Sequence, residues 1–375
     1  MKDTVFQQLL KPITKKLISA CVQRYQSDYH CKYFSTLDHL KVLIYTHINE
    51  IKSLRTLEVA LNKQKLGIKS KVKRSTLSDA NAKRPAECFM WILGQLMSLL
   101  PRKMHKEITK VIRILDSSPI QLRDHGYHWA KQYATRHIKG LKLHTEYDVC
   151  LRSPTKIKIS HPNVNDASMG QKWDILKDTI YVFDKGYYDY NWWWSIHQRK
   201  AYFVTRLKKN AAIVIEKQEK RQNEVVMEDG IFKISNKVPR GGKRMEYSDT
   251  LRYIKVRREG KTPLILATNL KDVSAENIAN LYKSRWDIEL FFKWVKQHLR
   301  IKKFLGKSMN AVKLQLITAI ITYLLTQLFK QALKDNRSLY LVLTWIKHNI
   351  QRVKYCPNHP PTYHYPLINQ RCVHL

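Results

Sequence analysis

The sequence predicts a multi-domain α/β protein: a mixed sheet flanked by helices, interrupted by an all-β insertion and preceded by an N-terminal helical domain. Three observations predict it. Apolar residues recur at helical spacing through about the first 105 residues. From about residue 108, short β-branched runs alternate with helical stretches. Residues 208 to 262 hold only short alternating runs, dense in charge.

In the N-terminal region, Ser35-Thr36-Leu37-Asp38 has capping character and opens the helical run LDHLKVLIYTHI. Ser53 opens a second run, SLRTLEVALNKQ. Residues 65 to 84 follow, with Lys65, Lys69, Lys71, Lys73 and Arg74 as a basic run and Ser75 or Ser78 as the cap of a short helix. A turn and helix carrying cations is how a major-groove reader begins; a solvated basic loop is the alternative. Next, VIRILD (111–116) reads as a short strand ending in Asp, LKLHTEYDVC (141–150) as a second strand, and Ser168 to Lys177 as a helix. TIYVFDKGYYD (179–189) reads as strand, Asp and Gly turn, and AYFVTRL (201–207) as another strand.

Within the β-insertion, AIVIEK, NEVVMEDGIFKIS and LRYIKVRR are strands, with Asp229-Gly230 and Gly241-Gly242 as hairpin turns. PLILATN (263–269) resumes a buried strand, and Ser274 caps a long helix. A very apolar helix spans 309–334. Its core, LQLITAIITYLLTQLF, is broken by Gln315, Thr318, Thr322, Thr326 and Gln327, which marks a buried helix rather than a membrane span. The proline-bearing tail after 350 reads as irregular.

The charge narrows the partners. Sixty-eight Lys and Arg face 30 Asp and Glu, for a formal net charge of +38. Such self-repulsion points to a polyanion, double-stranded DNA first, because neutralised phosphates release counterions. No basic amphipathic helix stands beside a lipid anchor, so no membrane partner is expected, and the N-terminus lacks the apolar core of a signal peptide. Six scattered cysteines without a C-x2-C pair fit free thiols in a reducing cytoplasm. Cys356, His359, His364, Cys372 and His374 crowd the C-terminus, but their spacing matches no standard zinc finger.

The chemistry concentrates in three acids. On a continuous helix over 281–301, Tyr282, Arg285, Glu289 and Lys296 share one narrow polar stripe beside an apolar face formed by Leu281, Ile288, Phe292, Val295 and Leu299. Helix salt bridges beside a core would explain that stripe. Asp116 and Asp184, however, each follow a strand, and strand-end carboxylates can share a crevice with a helical Glu289. Three acids held together repel one another unless cations offset them, and oxygen ligands suit two Mg²⁺ or Mn²⁺ ions. Two such ions support phosphodiester cleavage.

These residues resemble a known family. Tyr282, Arg285, Glu289 and Lys296 match the Tyr-Arg-Glu-Lys signature of bacterial insertion-sequence DDE transposases, which have a ribonuclease-H-like mixed sheet and often a β-insertion before the Glu. VIRILDSS resembles the first-Asp strand, GLKLH the strand after it, and VFDKGYYD the second-Asp segment. The resemblance implies that Asp116, Asp184 and Glu289 are catalytic and hold two Mg²⁺ or Mn²⁺ ions, and that Tyr282, Arg285 and Lys296 contact phosphates at the element ends. Lys69, Lys71, Lys73 and Arg74 are expected to add end binding. The implied activity is cut-and-paste: binding the terminal inverted repeats, metal-dependent strand cleavage, and 3′-hydroxyl transfer into target DNA, in a homodimer acting at the bacterial nucleoid. A hydrolysis-only nuclease and a decayed DNA binder are the alternatives. The expected domains are 1–105 (helical, DNA-binding), 106–207 and 263–335 (catalytic core), 208–262 (β-insertion) and 336–375 (C-terminal helix and tail). Two departures stand out. Lys185 replaces a common Arg, and 208–262 has no Trp to stack on a flipped base, leaving Phe232, Tyr247, Tyr253 or Trp192-Trp193-Trp194 as substitutes.

Overall fold

The computed structural model describes residues 3–63, 66–68, 71–100, 110–123, 125–134, 136–220, 224–235, 247–299, 301 and 303–353, with the backbone alone at 136 and 137. Two compact units divide the chain. Unit 1 comprises Met1–Pro101, Ile120–Leu141 and Phe292–Leu375; unit 2 comprises Arg102–Pro119 and Lys142–Phe291.

Unit 1 is mainly helical: α1 (Val5–Leu9), α2 (Lys15–Tyr25), α3 (Thr36–Ile48), α4 (Leu54–Lys63), α5 (Arg74–Lys83) and α6 (Ala86–Met97) come from the N-terminal region. Ser35 caps α3 as expected, accepting from the Asp38 amide, and Ser53 accepts from the Thr56 amide ahead of α4. The α5 helix starts earlier than Ser75 or Ser78 would allow. Lys73 takes the cap position without a side-chain bond, and the Arg74 amide donates to Glu58 on α4 at 3.0 Å. Cys21 and Cys88, expected as separate thiols, are joined in a disulfide between α2 and α6, which pack with their Cα atoms 5.9 Å apart.

The apolar helix α11 (Met309–Ala332) packs against α1, α3, α5, α6 and α12 (Leu339–Asn349) and is buried along most of its length. Its threonines fit a core because Thr318, Thr322 and Thr326 each return a hydroxyl hydrogen bond to the carbonyl four residues back, at 2.7–2.8 Å. His47 on α3 is buried between the Leu299 carbonyl and the Thr318 hydroxyl, each at 3.1 Å. Burial holds it neutral, its pKa lowered to about 4.

Unit 2 is built on strands β1 (Val111–Leu122), β3 (Arg136–Asp148), β4 (Ser153–Ser160), β5 (Thr179–Phe183), β6 (Tyr202–Arg206), β7 (Ile213–Lys220), β8 (Val226–Ile234), β9 (Leu251–Val256) and β10 (Leu264–Thr268); β2 (Gln132–Tyr133) pairs with the unit 1 part of β3. The sheet order is β3-β1-β5-β6-β10-β9-β8-β7, with β4 on β3. β1, β5 and β6 are parallel, and the strands from β6 to β7 are antiparallel to their neighbours. Thus the insertion strands β7–β9 are β as expected, and they extend the central sheet.

Three readings need correction here. β1 does not stop at Asp116 but runs on to Leu122; only its pairing with β5 ends there. The helix expected over 168–177 is a single turn and a half, α7 (Asp166–Gly170), capped by Asn165. Asp229-Gly230 is no turn but lies inside β8, where the Asp229 carboxylate receives a fork from Arg252 at 2.7 and 2.8 Å. Gly230 is needed there for close approach: a Cβ would stand 2.2 Å from the Lys217 carbonyl oxygen and 2.5 Å from the Tyr253 ring. Gly241-Gly242 and the C-terminal Cys/His cluster lie outside the described residues.

An aromatic core fills one side of the sheet. Leu115, Phe183 and Phe203 meet Tyr187, Trp192 and Trp193, the last two on α8 (Tyr190–Gln198). The tryptophan run therefore serves packing.

Candidate active site

Asp116 and Asp184 stand at one level of two neighbouring parallel strands. The register pairs Leu115 with Phe183, so the next residue on each strand is the aspartate. Strands lie about 4.8 Å apart, and side chains alternate across the sheet. Leu115 and Phe183 enter the aromatic core, so the two carboxylates point to the other side. β5 ends because Asp184 turns the chain: its carboxylate accepts from the Gly186 amide at 2.7 Å and caps the 3₁₀ turn Lys185–Tyr187. Gly186 fits because a Cβ there would approach Asp184 Oδ1 to 2.8 Å. Lys185 is exposed.

The expected single helix over 281–301 is two helices, α9 (Ala275–Lys283), capped by Ser274, and α10 (Trp286–His298). The chain tightens between them. The Arg285 amide donates to the Tyr282 carbonyl and the Asp287 amide to that of Ser284, both three residues back. The Ser284 hydroxyl returns a 2.6 Å bond to the Leu281 carbonyl, a contact that bends helices. The break puts Arg285 in the joint and Glu289 in the first turn of α10.

Arg285 Nη1 lies 2.6 Å from Glu289 Oε1 and 3.7 Å from Asp116 Oδ2. Its guanidinium is also 5.9 Å from the Tyr282 ring and 5.8 Å from the Trp286 ring. Burial drives the Asp116 carboxyl up to about 7; the Asp184 and Glu289 carboxylates add to that rise, while the Ser117 amide and Arg285 oppose it. Burial also raises the Tyr282 phenol, with Asp184 pushing the same way and Arg285 and Arg206 the other. Asp116, Asp184, Glu289, Arg285 and Tyr282 therefore act on one another within unit 2. Lys296 lies seven residues beyond Glu289 on α10, two turns along, and is half-buried. Lys71, Lys73 and Arg74 belong to unit 1, exposed around the buried Val72, and Lys69 is outside the described residues.

Among the described residues, no group of three or more His, Cys, Asp and Glu side chains is already arranged to hold a metal ion. The donor set nonetheless suits a hard divalent cation. All three acids offer oxygen, and one carboxyl is held up partly by the other two, an excess of negative charge that a cation offsets.

Sequence reasoning missed three neighbours. Arg206 ends β6 one residue past Thr205, which pairs with Phe183; its strand-end position beside that of Asp184 was the available signal. Tyr187 is buried, and its hydroxyl has no hydrogen-bond partner among the described residues. Burial, then Asp166, Asp116 and Asp184, hold its phenol far above the ordinary value. Asp166, on α7, binds Lys142 Nζ at 3.3 Å; nothing local in the sequence pointed to it. Of the proposed substitutes for a base-stacking Trp, Phe232, Tyr247, Tyr253, Trp192 and Trp193 are buried, and Trp194 is partly buried against the same aromatic core.

Comparison with known proteins identifies the family. A family model described as a transposase DDE domain matches residues 107–325, and one described as a domain of unknown function matches 1–68. The chain is 39% identical over 254 residues to a protein of Sinorhizobium fredii named as transposase y4zB, covering 67% of this chain and 70% of that one. It is 25% identical over 276 residues to a protein of Geobacillus stearothermophilus named as a transposase for insertion sequence element IS5377, covering 73% and 72%. Among solved structures, the piggyBac transposase synaptic complex with hairpin DNA aligns with a TM-score of 0.51 over 93% of this chain and 80% of that one; at 8% identity this likeness speaks for the mixed α/β fold alone. With its DDE domain spanning more than half of its length, the chain belongs to the transposase DDE domain family and is an enzyme of that type.

Proposed function

We propose that this transposase binds the terminal inverted repeats of its own insertion sequence, cleaves the strands there, and joins the freed 3′-hydroxyls to target DNA. The observation that carries the reading is the level pairing of Asp116 and Asp184 on parallel strands, with Glu289 linked to Asp116 through Arg285. Asp116, Asp184 and Glu289 are the residues that would hold two divalent ions, Mg²⁺ or Mn²⁺. When bound, such ions activate a hydroxyl nucleophile and stabilise the departing oxygen.

The protein's own groups do the rest. Arg285 sits in the joint between α9 and α10 with its fork toward the acids, and it can turn to a phosphate, which it grips bidentately. Tyr282 shields one face of that guanidinium, and Arg206 adds positive charge near the Tyr282 hydroxyl. Lys296 offers a point charge two turns further along. Lys71, Lys73 and Arg74, and in the same basic run Lys69, supply phosphate contacts for end binding, and two copies bring the two ends together. DNA is the site of action, which places the work at the nucleoid.

The test is incubation with Mg²⁺ and DNA taken from the gene's own flanks, with cut positions and joined products mapped. Asp116→Ala, Asp184→Ala and Glu289→Ala are expected to abolish cleavage while end binding persists. Cleavage at the wild-type rate in any of the three refutes the assignment, and cutting without joined products refutes the transfer step.

A further inference from the structure

The sequence RYQSDYHCKYF (24–34) closes the last turn of α2 and forms most of the loop to α3, which exposes two tyrosines, Tyr29 at 71% and Tyr33 at 74%. Exposed aromatics on a loose loop would mean little, but this loop is held from beneath. Arg84 is 5% exposed; its Nε donates to the Ser27 carbonyl at 3.2 Å, and its Nη2 donates to the Phe34 carbonyl at 2.7 Å and to Cys31 Sγ at 3.1 Å. Asp28 accepts from the Thr36 amide and hydroxyl, both at 2.6 Å, and lies 3.5 Å from Arg84. Two non-glycine residues, Gln26 (φ 48°) and His30 (φ 59°), hold left-handed backbone, which costs stability and persists only where the surroundings enforce it.

The loop's charge selects the partner. Asp28 is its only acid, and that carboxylate is tied inward by Thr36 and Arg84. Arg24 and Lys32 are exposed, Arg24 lies 5.6 Å from the Tyr25 ring, and the exposed His30 ring lies against Tyr29, tilted at 59° with centroids 4.1 Å apart. Rigid aromatic rings between exposed cations suit sugars, base faces and phosphates. The position fits as well. Arg84 is the C-cap of α5, while Lys73 and Arg74 stand at the N-terminus of that ten-residue helix. The two features are therefore separated by about 15 Å of helix, roughly four phosphates along one DNA strand.

We infer that residues 24–34 are a second DNA contact of unit 1, in which Tyr29 and Tyr33 pack on sugars or bases while Lys71, Lys73 and Arg74 hold the phosphates nearby. The inference rests on the reading that the protein binds its element ends.

The experiment measures binding of the full chain to a 30-base-pair duplex from the gene's flank by fluorescence anisotropy across a salt series, with self-association followed by sedimentation. Tyr29→Ala/Tyr33→Ala is expected to weaken binding about tenfold or more with an unchanged salt slope, because no charge is lost. Tyr29→Phe/Tyr33→Phe should bind like the wild type. Lys71→Ala/Lys73→Ala/Arg74→Ala should lower the slope by about two to three. Wild-type affinity in the Tyr→Ala pair overturns the inference, as does a loss confined to self-association or to binding of anionic lipid vesicles. Photocrosslinking of the unaltered protein to 5-iodouracil DNA provides a check independent of any variant's folding: adducts on Tyr29 or Tyr33 support the contact, and adducts confined elsewhere overturn it. No flank binding by the wild type at any salt would instead fail the end-binding reading.

Discussion

Replacing Asp116 by Asn probes the site most directly, because that carboxyl is both buried and crowded. Its pKa near 7 means that, without a cation, it is about half protonated at neutral pH. A divalent ion needs the ionised form, so binding must release a proton. The apparent dissociation constant then scales inversely with the ionised fraction. From pH 8 to pH 6 it should weaken about tenfold, where an unperturbed aspartate would give almost no change. Calorimetric titration with Mn²⁺ at the two pH values, in buffers of different ionisation enthalpy, reads both the affinity and the proton count. In the Asn variant binding should be lost or insensitive to pH. The same burial costs stability. For an acid whose folded pKa lies above its unfolded value of 3.8, stability is greatest below 3.8 and falls as pH rises toward 7, then levels off. With the side chain 21% exposed, that cost is about 2–4 kcal/mol at pH 8. Asp116→Asn should therefore unfold at higher urea than the wild type at pH 8 and at about the same urea at pH 4. Equal Mn²⁺ affinity at pH 6 and 8, or an Asn variant no more stable at pH 8, would refute this account of the site.

Other outcomes follow from neighbouring features. Arg285→Ala removes a charge that lowers the Asp116 pKa, so the pH midpoint of Mn²⁺ binding should move above 7; an unchanged midpoint in the same titration counts against the contact. His47 is buried neutral with a pKa of about 4, so the stability it contributes is whole above 6.5 and is lost as pH falls toward 4, about 3 kcal/mol in all; urea unfolding at pH 7 and 4.5 should show a smaller acid loss in His47→Gln. Gly230→Ala sets a Cβ against the Lys217 carbonyl and the Tyr253 ring and should cost about 3 kcal/mol, read as a fall in melting temperature of several degrees.

The parts of the site that were legible in the sequence are those fixed by local pattern. Asp116 and Asp184 stood out because each closes a β-branched run, and parallel pairing then sets them level. What was not legible depends on distant partners. The start of α5 is set by Glu58, sixteen residues away, so no cap residue inside 73–78 could announce it. The break at Ser284 follows from one hydroxyl turning back on its own helix, a choice among rotamers that helical periodicity does not see. Asp229-Gly230 has the letters of a turn, but Arg252 and the Lys217 backbone claim those two residues for a strand. The Cys21–Cys88 bridge spans 67 positions and needs the packing of α2 on α6 before it can be seen.

Arg285 between Glu289 and Asp116 has a wider consequence. The chain brings its own counterion to the acids, so it can finish folding in the absence of any metal. Synthesis and structural integrity are thereby uncoupled from the supply of divalent ions. A chelator should silence this protein while leaving its architecture standing, the reverse of what happens to domains that ions hold together.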